Sequence, residues 1–131
     1  MDSNKKYKIF IIDDDSFLLD MYALKFSQSN FEVFTALGSE TVIEKLKGGL
    51  NPDIFLLDIV MPVMDGFELL EKINQEGLSK DSIKIILSNR GQASDISRGQ
   101  ELGASGYIVK ANTTPSEVIT KVKEIIANKK N

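Results

Sequence analysis

Apolar residues fall into five short runs along the chain, with amphipathic segments between them. Lys8-Ile9-Phe10-Ile11-Ile12 predicts a first strand. Asp15 or Ser16 can cap a helix over 16–28, where Phe17, Leu18, Met21 and Leu24 recur at helical spacing. Phe31-Glu32-Val33-Phe34-Thr35 predicts a second strand. Ser39 is expected to cap a short helix carrying Val42, Ile43 and Leu46, ended by Gly48-Gly49. Ile54-Phe55-Leu56-Leu57 is apolar throughout, as in a strand of a parallel sheet buried on both faces, and it runs straight into Asp58. Phe67, Leu69, Leu70 and Ile73 predict a helix stopped near Gly77. Ile83-Lys84-Ile85-Ile86-Leu87 is a fourth strand, and a weaker helix follows over 93–102 with Gly103 after it. That helix has Gly99 in its middle and few apolar anchors (Ala93, Ile96 and Leu102), so it is expected to be the least stable element. Tyr107-Ile108-Val109 is a short fifth strand. Thr114, Pro115 and Glu117 open the last helix with a capping-box pattern, and Val118, Val122 and Ile125 form its stripe.

Strand–helix alternation with short connections forces parallel pairing and right-handed crossovers. The expected fold is a single α/β domain, a flavodoxin-like (βα)5 doubly wound parallel sheet in strand order 2-1-3-4-5. The 131-residue length fits one domain, and 42% hydrophobic with 27% charged residues is ordinary globular composition. A net charge of −3 gives no support for direct nucleic-acid or membrane binding. No run is apolar for long enough to span a membrane, and Met1-Asp2-Ser3-Asn4-Lys5-Lys6 precedes no signal-like segment, so a cytoplasmic protein is expected. The chain has no Cys and no His, which removes disulfides, thiolate and imidazole ligands, and histidine bases. Any chemistry must use carboxylates, hydroxyls, Lys or a hard metal ion.

In this topology the first and third strands are neighbours, so their carboxyl ends bring Asp13-Asp14-Asp15 beside Asp58. Carboxylates this close repel unless a cation lies among them. Oxygen donors with room for water suit Mg²⁺, with Mn²⁺ as an alternative. The fourth and fifth strands end in Ser88 and Lys110, a hydroxyl and an ammonium suited to a phosphoryl group. Taken singly, each has a plainer reading. The acids can be a helix cap near the dipole, Lys110 a snorkelling surface lysine, Ser88 a loop hydroxyl and Tyr107 a strand aromatic. Their coincidence at one edge favours a site.

The chain resembles the response-regulator receiver domain of two-component signalling. The resemblance rests on Ile11-Ile12-Asp13-Asp14-Asp15, on Pro52-Asp53-Ile54-Phe55-Leu56-Leu57-Asp58, and on Met61-Pro62-Val63-Met64-Asp65-Gly66-Phe67-Glu68-Leu69. It extends to Leu87-Ser88 and to Gly103-Ala104-Ser105-Gly106-Tyr107-Ile108-Val109-Lys110. It covers residues 6–127, leaving 1–5 and 128–131 as short flexible termini. It implies a cytoplasmic phosphoprotein of a phosphorelay, a self-phosphorylating and self-dephosphorylating switch and not a turnover enzyme. Asp58 would accept a phosphoryl group from a sensor histidine kinase or histidine phosphotransfer protein, forming an aspartyl phosphate. Asp13, Asp14, Asp58 and the Val60 carbonyl would hold Mg²⁺. Ser88 and Lys110 would bind the phosphoryl oxygens, and Ser88 and Tyr107 would switch. Output would run through a partner or a self-dimer on the 93–127 face. The protein would be either a free-standing receiver or one domain of a longer regulator.

Two departures stand out. Lys110-Ala111 replaces the family's Lys-Pro, so a trans peptide is expected there. Asn89 stands where the family often has a small residue, Arg90 follows it, and Val60 lies two residues past Asp58. These three residues are expected to hinder an attacking water and slow phosphoryl loss. The fourth helix is expected to move with Tyr107 when Ser88 is drawn to a phosphoryl group. A haloacid-dehalogenase-like phosphohydrolase would want Thr where Phe17 stands, and there are too few residues for a cap domain. A flavin carrier of the same fold would need a Ser/Thr/Gly-rich phosphate cradle after the first strand. A partner-binding pseudo-receiver would not need the complete acidic set.

Overall fold

The structure, a computed structural model, describes residues 5–130. Its elements are β1 (Lys8–Asp13), α1 (Ser16–Gln28), β2 (Glu32–Leu37), α2 (Val42–Lys47), β3 (Ile54–Leu57), α3 (Gly66–Gln75), β4 (Ile83–Ser88), α4 (Ala93–Glu101), β5 (Ala104–Val109), a 3-10 turn (Lys110–Asn112) and α5 (Pro115–Lys130). The five strands are parallel and ordered β2-β1-β3-β4-β5, as the alternation predicts. The register sets Ile9 beside Ile54 and Ile54 beside Ile83, so the three central strands end nearly level.

Alternation along these strands builds two cores. Ile9, Ile11, Ile54, Leu56, Ile85 and Leu87 face α1 and α5, where Tyr22, Phe26, Val118, Val122 and Ile126 meet them. Phe10, Ile12, Phe55, Leu57 and Ile86 face α2 and α3, packing on Val42, Leu46, Leu69, Leu70 and Ile73. Burying a large apolar side chain contributes about 1.5–3 kcal/mol, so each face is held independently. Strand ends clamped from both sides give the carboxyl edge a rigid base. At the sheet's outer edge, the Lys45 ammonium donates to the Thr35 carbonyl of β2 at 2.9 Å.

Local signals mostly act as expected. Asp15 caps α1 through Leu18 N at 3.1 Å. Thr114 and Glu117 form the α5 capping box, at 3.2 Å and 2.9 Å. Several boundaries differ. β2 starts one residue late and extends to Leu37, and β5 begins at Ala104, recruited by its pairing with β4. α2 starts only at Val42. The Ser39 hydroxyl is buried without a hydrogen-bond partner, and only the Ser39 carbonyl reaches Val42 N, so the side-chain cap expected there does not form. α5 continues past residue 127 through Lys130, while residues 1–4 and 131 of the expected flexible termini lie outside the described residues. The 110–111 peptide is trans, and the chain leaves β5 in the 3-10 turn.

Gly66 is set by crowding and not by turn freedom. Its φ is not positive; that conformation falls on Val63, at φ 71°. Gly66 is required by crowding: a Cβ there would lie 2.3 Å from the Asp58 carbonyl oxygen and 2.8 Å from Ile59 Cα. Its amide donates to the Ile59 carbonyl at 2.8 Å, tying α3 to the end of β3. Gly66→Ala should destabilise the fold by about 1–3 kcal/mol, as overpacking does, and shift the Asp58 backbone. Urea unfolding and amide chemical shifts at 58–60 would check both.

Candidate functional site

The ends of β1, β3, β4 and β5 surround one crevice, lined by Asp13, Asp14, Asp58, Val60, Ser88, Asn89 and Lys110 among others. Each arrives by strand register. Asp13 closes β1, Asp58 follows β3 with its amide on the Ile12 carbonyl at 3.0 Å, Ser88 ends β4, and Lys110 follows β5. Asp13 is 2% exposed, Asp58 7% and Ser88 0%, whereas Asp14 faces solvent. Burying charges at this level demands partners.

The partner is Lys110. Its ammonium lies 2.7 Å from Asp13 Oδ2 and 2.7 Å from Asp58 Oδ2, with its side chain 8% exposed. Backbone amides hold the other oxygens: Asp15 N donates to Asp13 Oδ1 at 3.0 Å and Val60 N to Asp58 Oδ1 at 3.1 Å. Burial tends to lower the Lys110 pKa, but the hydrogen bonds its ammonium donates to Asp13 and Asp58, with their charges, outweigh it, and the net direction is upward. Asp13 is also raised, because burial exceeds the help of Lys110 and the Asp15 amide, and the Asp58 charge adds to it.

Ligand oxygens of Asp13, Asp14 and Asp58 lie within 4.8 Å of one another. The donors are hard oxygens, Asp14 is open to water, and neither His nor Cys exists in the chain. This donor set fits a hard divalent cation and not a soft one.

Two expected site residues stand outside the crevice. The Arg90 guanidinium turns to Asp95, at 2.8 Å, and lies 5.8 Å from the Phe67 ring centroid. Its partner is the buried carboxylate in the first turn of α4, and its side chain does not line the crevice. Tyr107 is half-buried, and its hydroxyl donates to the Arg90 carbonyl. Burial first, then the Asp95 charge, raise its pKa. Asn89, by contrast, does line the crevice. The role of Asp95 was not visible in the sequence. Its spacing after Gln92 is a plain helix-start signal, and only the fold turns its carboxylate toward Arg90.

A model of the response regulator receiver domain matches residues 9–123. The chain belongs to this family. The phosphate regulon transcriptional regulatory protein PhoB of Escherichia coli is 26% identical over 119 residues, covering 91% of this chain and 51% of that protein. The transcriptional regulatory protein ResD of Bacillus subtilis is 30% identical over 127 residues, covering 96% and 50%. The receiver thus spans about half the length of the curated relatives it matches. A CheY-like receiver from Methanospirillum hungatei superposes with TM-score 0.84 at 27% identity, over 96% of this chain and 98% of that one. The chemotaxis protein CheY4 of Vibrio cholerae, at 22% identity and TM-score 0.84, over 92% and 99%, shares the fold. Because the relatives are named transcriptional regulators, the charge-based expectation of no nucleic-acid contact draws no support from them. Among the described residues no helix is long and apolar enough to cross a membrane.

Lys110→Met should destabilise the metal-free receiver by about 2–3 kcal/mol. That is less than the roughly 3–5 kcal/mol of a fully enclosed pair, because water reaches the crevice. A lysine pKa raised by folding contributes stability that is complete below its unfolded value, about 10.4, and fades as pH climbs through the folded value. The stability gap between wild type and variant should therefore hold from neutral pH to about 10 and narrow above it. Urea titrations across that range would measure it, and a gap independent of alkaline pH would contradict the ion-pair account.

Proposed function

We propose that this receiver accepts a phosphoryl group on Asp58 from a partner's phosphohistidine and changes its partner binding as a result. The observation that carries the reading is the Lys110 ammonium held 2.7 Å from both Asp13 and Asp58, in a crevice also lined by Asp14 and Ser88. A carboxylate oxygen of Asp58 attacks phosphorus, the bond to the donor imidazole nitrogen breaks, and the donor keeps that electron pair. Phosphoryl transfer asks for positioning and for compensation of charge on the equatorial oxygens. A Mg²⁺ ion, or Mn²⁺, held by Asp13, Asp14, Asp58 and the Val60 carbonyl, would supply part of that compensation. Lys110 supplies the rest by exchanging its Asp58 contact for a phosphoryl oxygen. The fully buried Ser88 hydroxyl donates to another. Water would later attack the same phosphorus to regenerate Asp58, with Val60 and Asn89 flanking its approach. The phosphodonor would be a sensor histidine kinase or a histidine phosphotransfer protein. Output would pass through the α4, β5 and α5 surface, either to a partner or to a second copy.

Incubation with Mg²⁺ and an acyl phosphate should label Asp58, located by peptide mass spectrometry. Asp58→Asn should abolish the label and Asp13→Asn only slow it. A label that persists in Asp58→Asn and vanishes in Asp13→Asn would favour a dehalogenase-type phosphohydrolase. No label without loss of partner binding would point to a pseudo-receiver. Asn89→Ala should shorten the phosphoryl lifetime by opening the path of the attacking water. Decay of the acid-labile label over time would show it, and a slower decay would reject the role given to Asn89.

A further inference from the structure

Four contacts converge on Arg90. Its amide donates to the Ser88 hydroxyl oxygen at 3.3 Å, and its carbonyl accepts from the Tyr107 hydroxyl. Its guanidinium pairs with Asp95 at 2.8 Å and lies over Phe67, which opens α3. One residue thus touches the end of β4, the middle of β5 and the first turns of α3 and α4.

α4 depends on this more than other helices do. Only Asp95 and Gly99 of its residues are buried, and neither offers apolar burial. Gly99 lets the helix sit close: a Cβ there would be 2.7 Å from Ile86 Cδ1 and 3.5 Å from Tyr107 Cδ2. Its other tie is Arg98, 4.8 Å from the Phe67 ring and 3.9 Å from Glu71, a pair half exposed and therefore weak. Asp95 also accepts from Gln92 N at 3.3 Å, so the carboxylate that holds Arg90 also closes the helix start. The Arg90–Asp95 pair joins a buried carboxylate to a guanidinium and is the strongest polar tie of α4 to the loop before it.

We propose that Arg90 is a latch that couples the position of the Ser88 hydroxyl to the order of α4. The 3.3 Å amide contact is the weak link of the chain, long for a hydrogen bond. Drawing the Ser88 oxygen toward Asp58 carries the Arg90 backbone, two residues along the chain, with it, and the guanidinium is pulled off Asp95. The first turn of α4 then loses its anchor. Arg90 is a positioning residue in this account and touches no reacting atom. The link to phosphorylation rests on the function proposed above; the latch itself does not.

Hydrogen exchange over 93–101 tests it in the intact chain, free and loaded with beryllium trifluoride and Mg²⁺ as the phosphoryl mimic. Loading should raise exchange of the wild type there. Arg90→Gln should raise it in the free protein by about tenfold or more, the worth of one hydrogen bond to a charged group, and leave the loaded protein unchanged. Asp95→Asn should do the same, and the double variant should add little to either. Arg90→Lys, which keeps the charge but not the planar fork, should fall between. An equal rise in both forms would mean that Arg90 merely supports the helix and would overturn the latch. No rise in the free protein, or additive effects of the two substitutions, would overturn it as well. Failure of the wild type to bind the mimic would count against the proposed phosphoacceptor, whereas the free-protein comparison and the double variant would still decide the latch.

Discussion

One ammonium shared by two buried carboxylates is the constraint around which the carboxyl edge is built. Asp13 and Asp58 stand at the ends of adjacent strands, where two like charges repel unless a cation lies between them. Lys110 arrives from β5, two strands away from β3 and three from β1 in sheet order, and closes the gap at 2.7 Å on each side. That reach is possible only because the central strands end level and β5 pairs far enough along β4 to bring residue 109 beside Ser88. The site is thus a product of register. A one-residue slip in any strand would turn its terminal group to the other face.

Much of this was legible in the chain. Strands as apolar as Ile54–Leu57 allow only a parallel sheet with both faces covered, and helical spacing between them leaves few topologies. The acids, the hydroxyl and the lysine could be placed on one edge from strand order alone. What escaped the reading was decided by tertiary contact. Ala104–Gly106 carry weak strand propensity and are strand because β4 offers a ladder. Ser39 resembles a helix cap, yet its hydroxyl is turned inward while the helix waits until Val42. Arg90 looked like a neighbour of the crevice by its place after Ser88, but its guanidinium pairs with Asp95 of α4, while Lys110 already holds the two buried crevice carboxylates.

The two ends of the β4–α4 connection have opposite characters. Ser88 is sealed in the sheet, and Asn89 and Arg90 are exposed. Between them, a displacement too small to disturb either core can redistribute polar contacts at the surface. The apolar packing of α1, α2, α3 and α5 has no such freedom. A helix with almost no apolar anchor beside four that are well anchored makes α4 the element able to respond without unfolding the domain.

Gly66 gives the fold an asymmetry in mutational tolerance. The loop before it carries exposed Val60 and Val63; exposure leaves Val60 a wide alphabet, while the positive φ of Val63 favours Gly or Asn there. At position 66 the space left by the Asp58 carbonyl admits no side chain at all. Random drift can therefore rewrite the rim of the crevice, and with it the surface a partner meets, while one hydrogen atom at Gly66 keeps the carboxylate's backbone where it is.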